Sequence, residues 1–349
     1  MPVSADLDET DLALLNALQV SPRAPWAAVG KALGTDAATA TRRWRRLADE
    51  GLGWVTGYPS GALDQLAGAL VEIDCDAART QEVAAAIAQD PEAFTVEETA
   101  GGRDLLLTVS APDLAALAGY ISGRLRLLPG VRATRTSIFT DGFTDGAGWR
   151  LGALDAAAQR ELGADTAHSA EPPSLRDELD RHIMMELSRD GRVSATELSK
   201  LLGVGITTAA RRLRRLLATR TVQLRCEVSR AAVGLPVTVT LWAATSPQHL
   251  AAAGQALSRL PRTRLAVAVA GSSNVICVAW LPSLHELGHL EAEIAHRAPE
   301  LTVMDRAVTL RPVKHSARLL DSQGRARSTV VADLWSRQTC LPTGADLRL

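Results

Sequence analysis

Cysteine is scarce in this 349-residue chain. Cys75, Cys226, Cys277 and Cys340 are scattered, with no C-x-x-C pair and no metal-type spacing. That excludes a disulfide scaffold and fits reduced, buried thiols in an intracellular protein. Lysine is nearly missing, occurring only as Lys31, Lys200 and Lys314, so arginine supplies almost all the positive charge. Neither sign of charge is in excess: 38 basic against 39 acidic residues leave a net charge of −1. The chain as a whole is therefore no polycation, and any contact with nucleic acid must be a local patch. No apolar run reaches the length of a membrane span. The opening stretch MPVSADLDET is acidic and polar, unlike a signal peptide. The expectation is a soluble cytoplasmic chain of two or more domains.

What is present is a pattern that occurs twice. Arg42-Arg43-Trp44-Arg45-Arg46-Leu47 returns 169 positions later as Arg211-Arg212-Leu213-Arg214-Arg215-Leu216. The match extends without a gap: Asp11 falls on Asp180, Leu18 on Leu187, and Leu33-Gly34 on Leu202-Gly203. A repeat of this length fixes the architecture as a tandem duplication. In helical spacing Ala40, Trp44 and Leu47 share one face, as do Ala209, Leu213 and Leu216. Thr39, Arg42, Arg43 and Arg46, with Thr208, Arg211, Arg212 and Arg215, then lie off the core. So dense an arginine stripe, after a short helix and a Gly-containing turn, points to a helix-turn-helix on double-stranded DNA.

The pattern orders six segments. Residues 1–60 read as a first winged helix-turn-helix: helices from Asp8 to Leu18, Trp26 to Leu33 and Ala37 to Glu50, with Asp36 as N-cap of the third. Trp54-Val55 would supply a short wing strand. Residues 61–143 alternate strand and helix as βαββαβ, the ferredoxin-like plan with both helices on one sheet face. Its other face needs a cover, which argues for oligomerisation. Residues 144–174 read as a linker with a helix between Leu151 and Leu162. Residues 175–230 and 231–316 repeat both units, and 317–349 form a polar tail expected to be disordered, although Val330–Trp335 could dock. The fold class is α+β, two copies of winged helix-turn-helix followed by a ferredoxin-like domain.

With these residues in order, the chain resembles the Lrp/AsnC, or feast/famine, transcriptional regulators. The motifs are Asp190-Gly191-Arg192-Val193-Ser194-Ala195-Thr196-Glu197-Leu198, then Leu202-Gly203-Val204 and the double-arginine helix. Gly101-x-x-Asp104 and Pro129-Gly130-Val131 with Arg135-Thr136 resemble that family's effector domain. The resemblance covers most of the chain apart from the linker and tail. It implies a DNA-binding regulator in the cytoplasm, associated with the nucleoid. It also implies αβ domains that oligomerise and often sense an amino acid. Ordinary members carry one unit; this chain carries two. It could close on itself as a pseudo-dimer or pair with another chain, and a further homodimer is the expectation.

Thr39, Thr207 and Thr208 are the candidate base readers beside the arginines. Gly101 and Gly102 could offer N–H groups to a carboxylate, with Asp104 meeting an ammonium, or the loop could simply be a hairpin turn. In the second copy Gly271 and Asn274 occupy the loop, and the neutral Asn274 should bind an amine less well. No cofactor is expected. His285-Glu286-Leu287-Gly288-His289 fits H-E-x-x-H, in which two histidines ligate zinc and the glutamate acts as base. The first repeat has no ligand there, and Leu284, Leu287 and Ile294 are wanted to cover a sheet, so neither zinc nor catalysis is expected. An enzyme on the same fold, like the tetrapyrrole-modifying decarboxylases, is the other alternative; the surviving arginine helices weigh against it.

Overall fold

The computed structural model describes residues 7–60, 66–163 and 173–334. In the first repeat, α1 (Glu9–Val20), α2 (Trp26–Ala32) and α3 (Ala37–Asp49) form the helix-turn-helix. Strand β1 (Gly53–Pro59) leads to the αβ unit. That unit runs β2 (Ala67–Cys75), α4 (Thr80–Ala88), β3 (Ala93–Ala100), β4 (Leu105–Ala111), α5 (Leu114–Gly123) and β5 (Val131–Thr144). A connecting helix, α6 (Ala156–Gly163), follows.

The second repeat has α7 (Glu178–Arg189), α8 (Ala195–Leu202), α9 (Ile206–Ala218) and β6 (Val222–Val228). Its αβ unit is β7 (Val237–Ala244), α10 (Leu250–Ser258), β8 (Thr263–Ala270), β9 (Val275–Leu281), α11 (Glu286–Arg297) and β10 (Thr302–His315). Two short strands, β11 (Arg318–Leu320) and β12 (Ala326–Thr329), close the described chain.

Local chemistry accounts for the helix ends. Asp8 and Asp11 form a capping box on α1, and Ser194 and Glu197 form one on α8. Asp36 caps α3 through the Thr39 N–H at 2.7 Å, whereas α9 begins at Gly205 with no side-chain cap. Gly203 ends α8 in the left-handed region at φ 65°.

Each αβ unit has the expected strand order, β3-β4-β2-β5 and β8-β9-β7-β10, all antiparallel. The last strand of each is longer than its own sheet requires. The first half of β5 pairs with β2, and beyond Ile138 the strand pairs with β8 of the other repeat. Likewise β10 pairs with β7 and then with β3. The junctions are equivalent at an offset of 170, one more than that of the helix-turn-helix units: Ile138 lies opposite Ala270 and Val308 opposite Ala100. Eight strands therefore close a circuit and leave no open edge between the two units.

Helices of each unit cover the outer sheet faces, over cores that include Val71, Ile87, Leu107 and Leu117 in one and Leu241, Leu257, Cys277 and Ile294 in the other. The inner faces meet around Leu70, Leu106, Trp242, Val267, Val269, Ile276 and Ala307. The sheet face expected to need a partner chain is thus buried by the other half of the same chain. That removes the physical ground on which a further homodimer was expected.

Three other expectations change. The strand at Trp54-Val55 is present, but it pairs with β6 of the other repeat over seven positions, Gly53 to Pro59, and forms a two-stranded ribbon. The front of the linker folds back on the first helix-turn-helix. There Leu151 and Leu154 donate their N–H groups to the Gln19 and Asn16 side chains at 2.9 Å, and Trp149, Leu154 and Leu162 join its core. The start of the tail is ordered as well. Ala326 N–H donates to Gly51 O, and Arg318 donates to Ser188 O and Arg189 O at the end of α7. Trp335 and Cys340 lie outside the described residues.

Candidate nucleic-acid interface

The two helix-turn-helix units meet by a reciprocal contact as well as by the ribbon. Arg23 Nη1 and Nη2 donate to Gly191 O and Val193 O at 2.6 and 2.9 Å. Arg192, which aligns with Arg23 across the repeat, donates to Pro22 O and Ala24 O at 2.5 and 3.0 Å. Arg192 also lies over the Trp26 ring, 4.1 Å from its centroid. Burial lowers the pKa of both guanidiniums, that of Arg192 to about 10, with the charge of Arg23 adding to the effect. Each unit thereby supplies the same surface to the other, the signature of a two-fold contact.

On the recognition helices α3 and α9 the four arginines divide into two pairs. Arg42 and Arg45, and their counterparts Arg211 and Arg214, are exposed. Among the described residues Arg42 makes only a long contact to Thr39 Oγ1 at 3.4 Å. The inner pair is held. Arg43 bonds Asp8 at 2.8 Å and Asp11 at 2.9 Å, and Arg46 bonds Asp11 at 2.5 Å and Glu50 at 3.2 Å. In the second copy Arg212 bonds Asp177 at 2.7 Å and Asp180 at 3.1 Å, while Arg215 bonds Asp180 and Ser174 O. The hydrogen bonds that Arg43 and Arg212 donate to Asp8 and Asp177 raise the pKa of both guanidiniums. The Arg212 guanidinium in turn lowers that of Asp177.

The sequence reading grouped Arg42, Arg43, Arg46, Arg211, Arg212 and Arg215 and passed over Arg45 and Arg214. Helical phase separates them. In R-R-x-R-R the first and fourth residues share the outer flank, whereas the second and fifth share the flank nearer the first helix. The signal that sorts them was present: D-x-x-D at 8–11 and 177–180 keeps the same 169-residue offset.

The hydroxyl of Thr39 donates to Asp36 at 3.0 Å, which engages it in the cap. Thr207 is exposed and Thr208 half-buried, beside an exposed Ile206.

The expected effector loops are built as hairpins. Asp104 accepts the Cys75 N–H at 2.7 Å, and Asn274 accepts the Thr245 N–H at 3.0 Å and donates to Thr245 O at 2.8 Å. Gly101 takes φ 111°, and Gly102 and Gly271 are exposed. The Asp104 carboxylate therefore staples its own hairpin to the end of β2. The neighbouring Arg103, which the sequence reading missed, is the residue of this loop that turns inward. It bonds Glu72 at 2.7 Å, reaches Asp305 of the other repeat and lies 4.2 Å from the centroid of the Trp242 ring. Arg135 joins Glu72 at 3.3 Å, Asp74 at 2.9 Å and Gly102 O at 3.1 Å.

His285 and His289 are both exposed at the start of α11. Among the described residues no three His, Cys, Asp or Glu side chains are grouped to hold a metal ion. A small cavity of about 20 Å³ lies between the ribbon, the strand circuit and the tail, lined by Trp54, Glu97, Arg230, Trp280 and His315 among others. It has room for a water molecule.

Parts of this chain are similar to known proteins. The family model of the AsnC-type helix-turn-helix domain matches residues 7–48 and 177–217, and that of the Lrp/AsnC ligand binding domain matches residues 68–146. An HTH-type transcriptional regulator of Pyrococcus furiosus is 34% identical over 137 residues, which cover 38% of this chain and 91% of that protein. The leucine-responsive regulatory protein of Klebsiella pneumoniae is 28% identical over 149 residues, covering 41% and 90%. Among solved structures, the siroheme decarboxylase NirDL aligns over 88% of this chain and 93% of its own. Its TM-score is 0.56 at 13% identity, a likeness of fold.

Proposed function

The chain belongs to the Lrp/AsnC family of DNA-binding transcriptional regulators, and from that premise we propose that one chain acts as the dimer that ordinary members assemble from two. It grips a single duplex site with α3 and α9 together. The observation that carries this reading is the pairing of the two helix-turn-helix units within the chain, by the β1–β6 ribbon and the Arg23–Arg192 contact. Arg42, Arg45, Arg211 and Arg214 hold phosphates or guanine edges, and Ile206, Thr207 and Thr208 read bases in the second half-site. Because α3 carries Ala37 and Ala38 where α9 carries Ile206 and Thr207, the two half-sites differ. The regulator works in the cytoplasm on the nucleoid.

The effector is a small molecule of the amino-acid class, received by the first αβ unit. Its Gly101–Gly102 loop adjoins the Arg103–Glu72–Arg135 cluster. Asp104 is engaged in the hairpin, and Glu72 and Asp74 are paired with Arg103 and Arg135, so an ammonium there would compete with those guanidiniums for the carboxylates.

Fluorescence anisotropy on a selected duplex tests the DNA reading. Glutamine at Arg42, Arg45, Arg211 and Arg214 together should abolish binding at physiological salt in a folded protein. Unchanged affinity would refute it. A second reading, tetrapyrrole decarboxylation, rests on the likeness of fold to the solved decarboxylase over 88% of this chain. A tetrapyrrole absorbance band in the purified protein would favour it.

A further inference from the structure

We propose that Asp11 and Asp180 are specificity-determining residues: each buried carboxylate withholds two of the four arginines of its recognition helix from the DNA backbone. This rests on the DNA-binding reading and adds a control on how the protein binds.

The geometry is the same in both copies. Asp11 and Asp180 are the third residues of α1 and α7, with side chains 2% and 0% exposed. Each holds two arginines spaced by three, Arg43 with Arg46 and Arg212 with Arg215. The N-cap aspartates Asp8 and Asp177 take a second bond from Arg43 and Arg212. Backbone donors complete the cradle: Asp8 N–H reaches Asp11 at 3.3 Å, and Arg176 N–H reaches Asp180 at 2.8 Å.

The consequence follows from counterion release. Each phosphate neutralised by an arginine adds about 0.9 to the slope of log affinity against log salt. Eight arginines on two helices would give a contribution near 7, mostly independent of sequence, whereas the four outward ones give about 3.6. Sequestering the inner pair weakens binding to any duplex while leaving the site-reading face intact. An excess of genomic non-specific sites makes that ratio the functional quantity.

The test measures salt slopes on the selected duplex and on a random-sequence duplex of equal length, using the full chain. Asp180→Asn should steepen the slope by about 0.9 to 1.8 and reduce the ratio of specific to non-specific affinity. An unchanged slope in folded Asp180→Asn protein would overturn the proposal. Removing the whole network without leaving a buried charge, by Asp180→Asn with Arg212→Gln and Arg215→Gln, should keep the wild-type slope. Arg211→Gln with Arg214→Gln should reduce it by about 1.8. A drop of that size in the triple variant instead would mean the inner pair touches phosphate, and would overturn the proposal even if Asp180→Asn alone fails to fold. Wild-type protein that binds no duplex would refute the DNA reading itself, a separate outcome.

Discussion

Arg23 and Arg192 each fork over the two carbonyls that flank the other, Gly191 and Val193 on one side and Pro22 and Ala24 on the other. Hydrogen bonds from a charged donor are worth about 1.5–3 kcal/mol each. Replacing either arginine by alanine should therefore lower unfolding free energy by about 2–4 kcal/mol, after allowance for solvent exposure. The two changes together should cost more than the sum of the singles, since each single change also relieves the repulsion between the guanidiniums and the double relieves it only once. Urea titration of the single and double variants checks this, and strict additivity would show that the two contacts act independently.

Gly51 sits at φ 70°, and a Cβ there would lie 2.2 Å from Ala326 O in the tail. Gly51→Ala should therefore push β12 off the first helix-turn-helix, in addition to about 1–2 kcal/mol of left-handed strain. Limited proteolysis should then cut the 321–329 segment faster than in wild-type protein. Unchanged protection would mean the tail is held elsewhere, for instance by Arg318.

The hairpin staple gives a contrast between repeats. Because Asn274 already does with an amide what Asp104 does with a carboxylate, Asp104→Asn should change stability by less than about 1 kcal/mol. Asp104→Ala should cost about 1–3 kcal/mol by leaving the Cys75 N–H unpaired. If Asp104→Asn abolished effector binding without affecting stability, the carboxylate would have a ligand role beyond the staple.

Lys314 is fully buried on β10 and donates to Asp90 O at 2.7 Å. Burial pushes it down from 10.5 to about 8. The charged form is thus penalised in the folded state, and the penalty is complete below pH 8. Between about pH 8 and 10.5 the unfolded chain binds a proton that the folded chain does not, so stability rises with pH through that window. Unfolding free energy of wild type and Lys314→Met across pH 7–10.5 checks the sign. The variant should lack the rise, and an identical slope would place the source in another group.

The helices, their caps and the strand order of each αβ unit were legible in the sequence because periodicity and capping are local. Asp36, Gly203 and the βαββαβ order needed nothing from outside their own segments. Pairing between repeats was not legible: the extension of β5 past Phe139 is half-exposed and carries Asp141 and Gly142, and only its partner β8 makes it a strand. The same holds for the ribbon, where Trp54 lies opposite Glu227 from the other repeat. At the candidate DNA interface the arginines were visible as a group, whereas their division depended on carboxylates some 32–35 positions away.

In the proposed function one chain reads one site with two unlike recognition helices. Selection of bound duplexes from a random library, followed by measurement of the mass of the complex, tests it most directly. The enriched site should have two different halves whose centres lie about one helical turn apart or a multiple of it, with one chain per site. Enrichment of a perfect palindrome bound by two chains would contradict it.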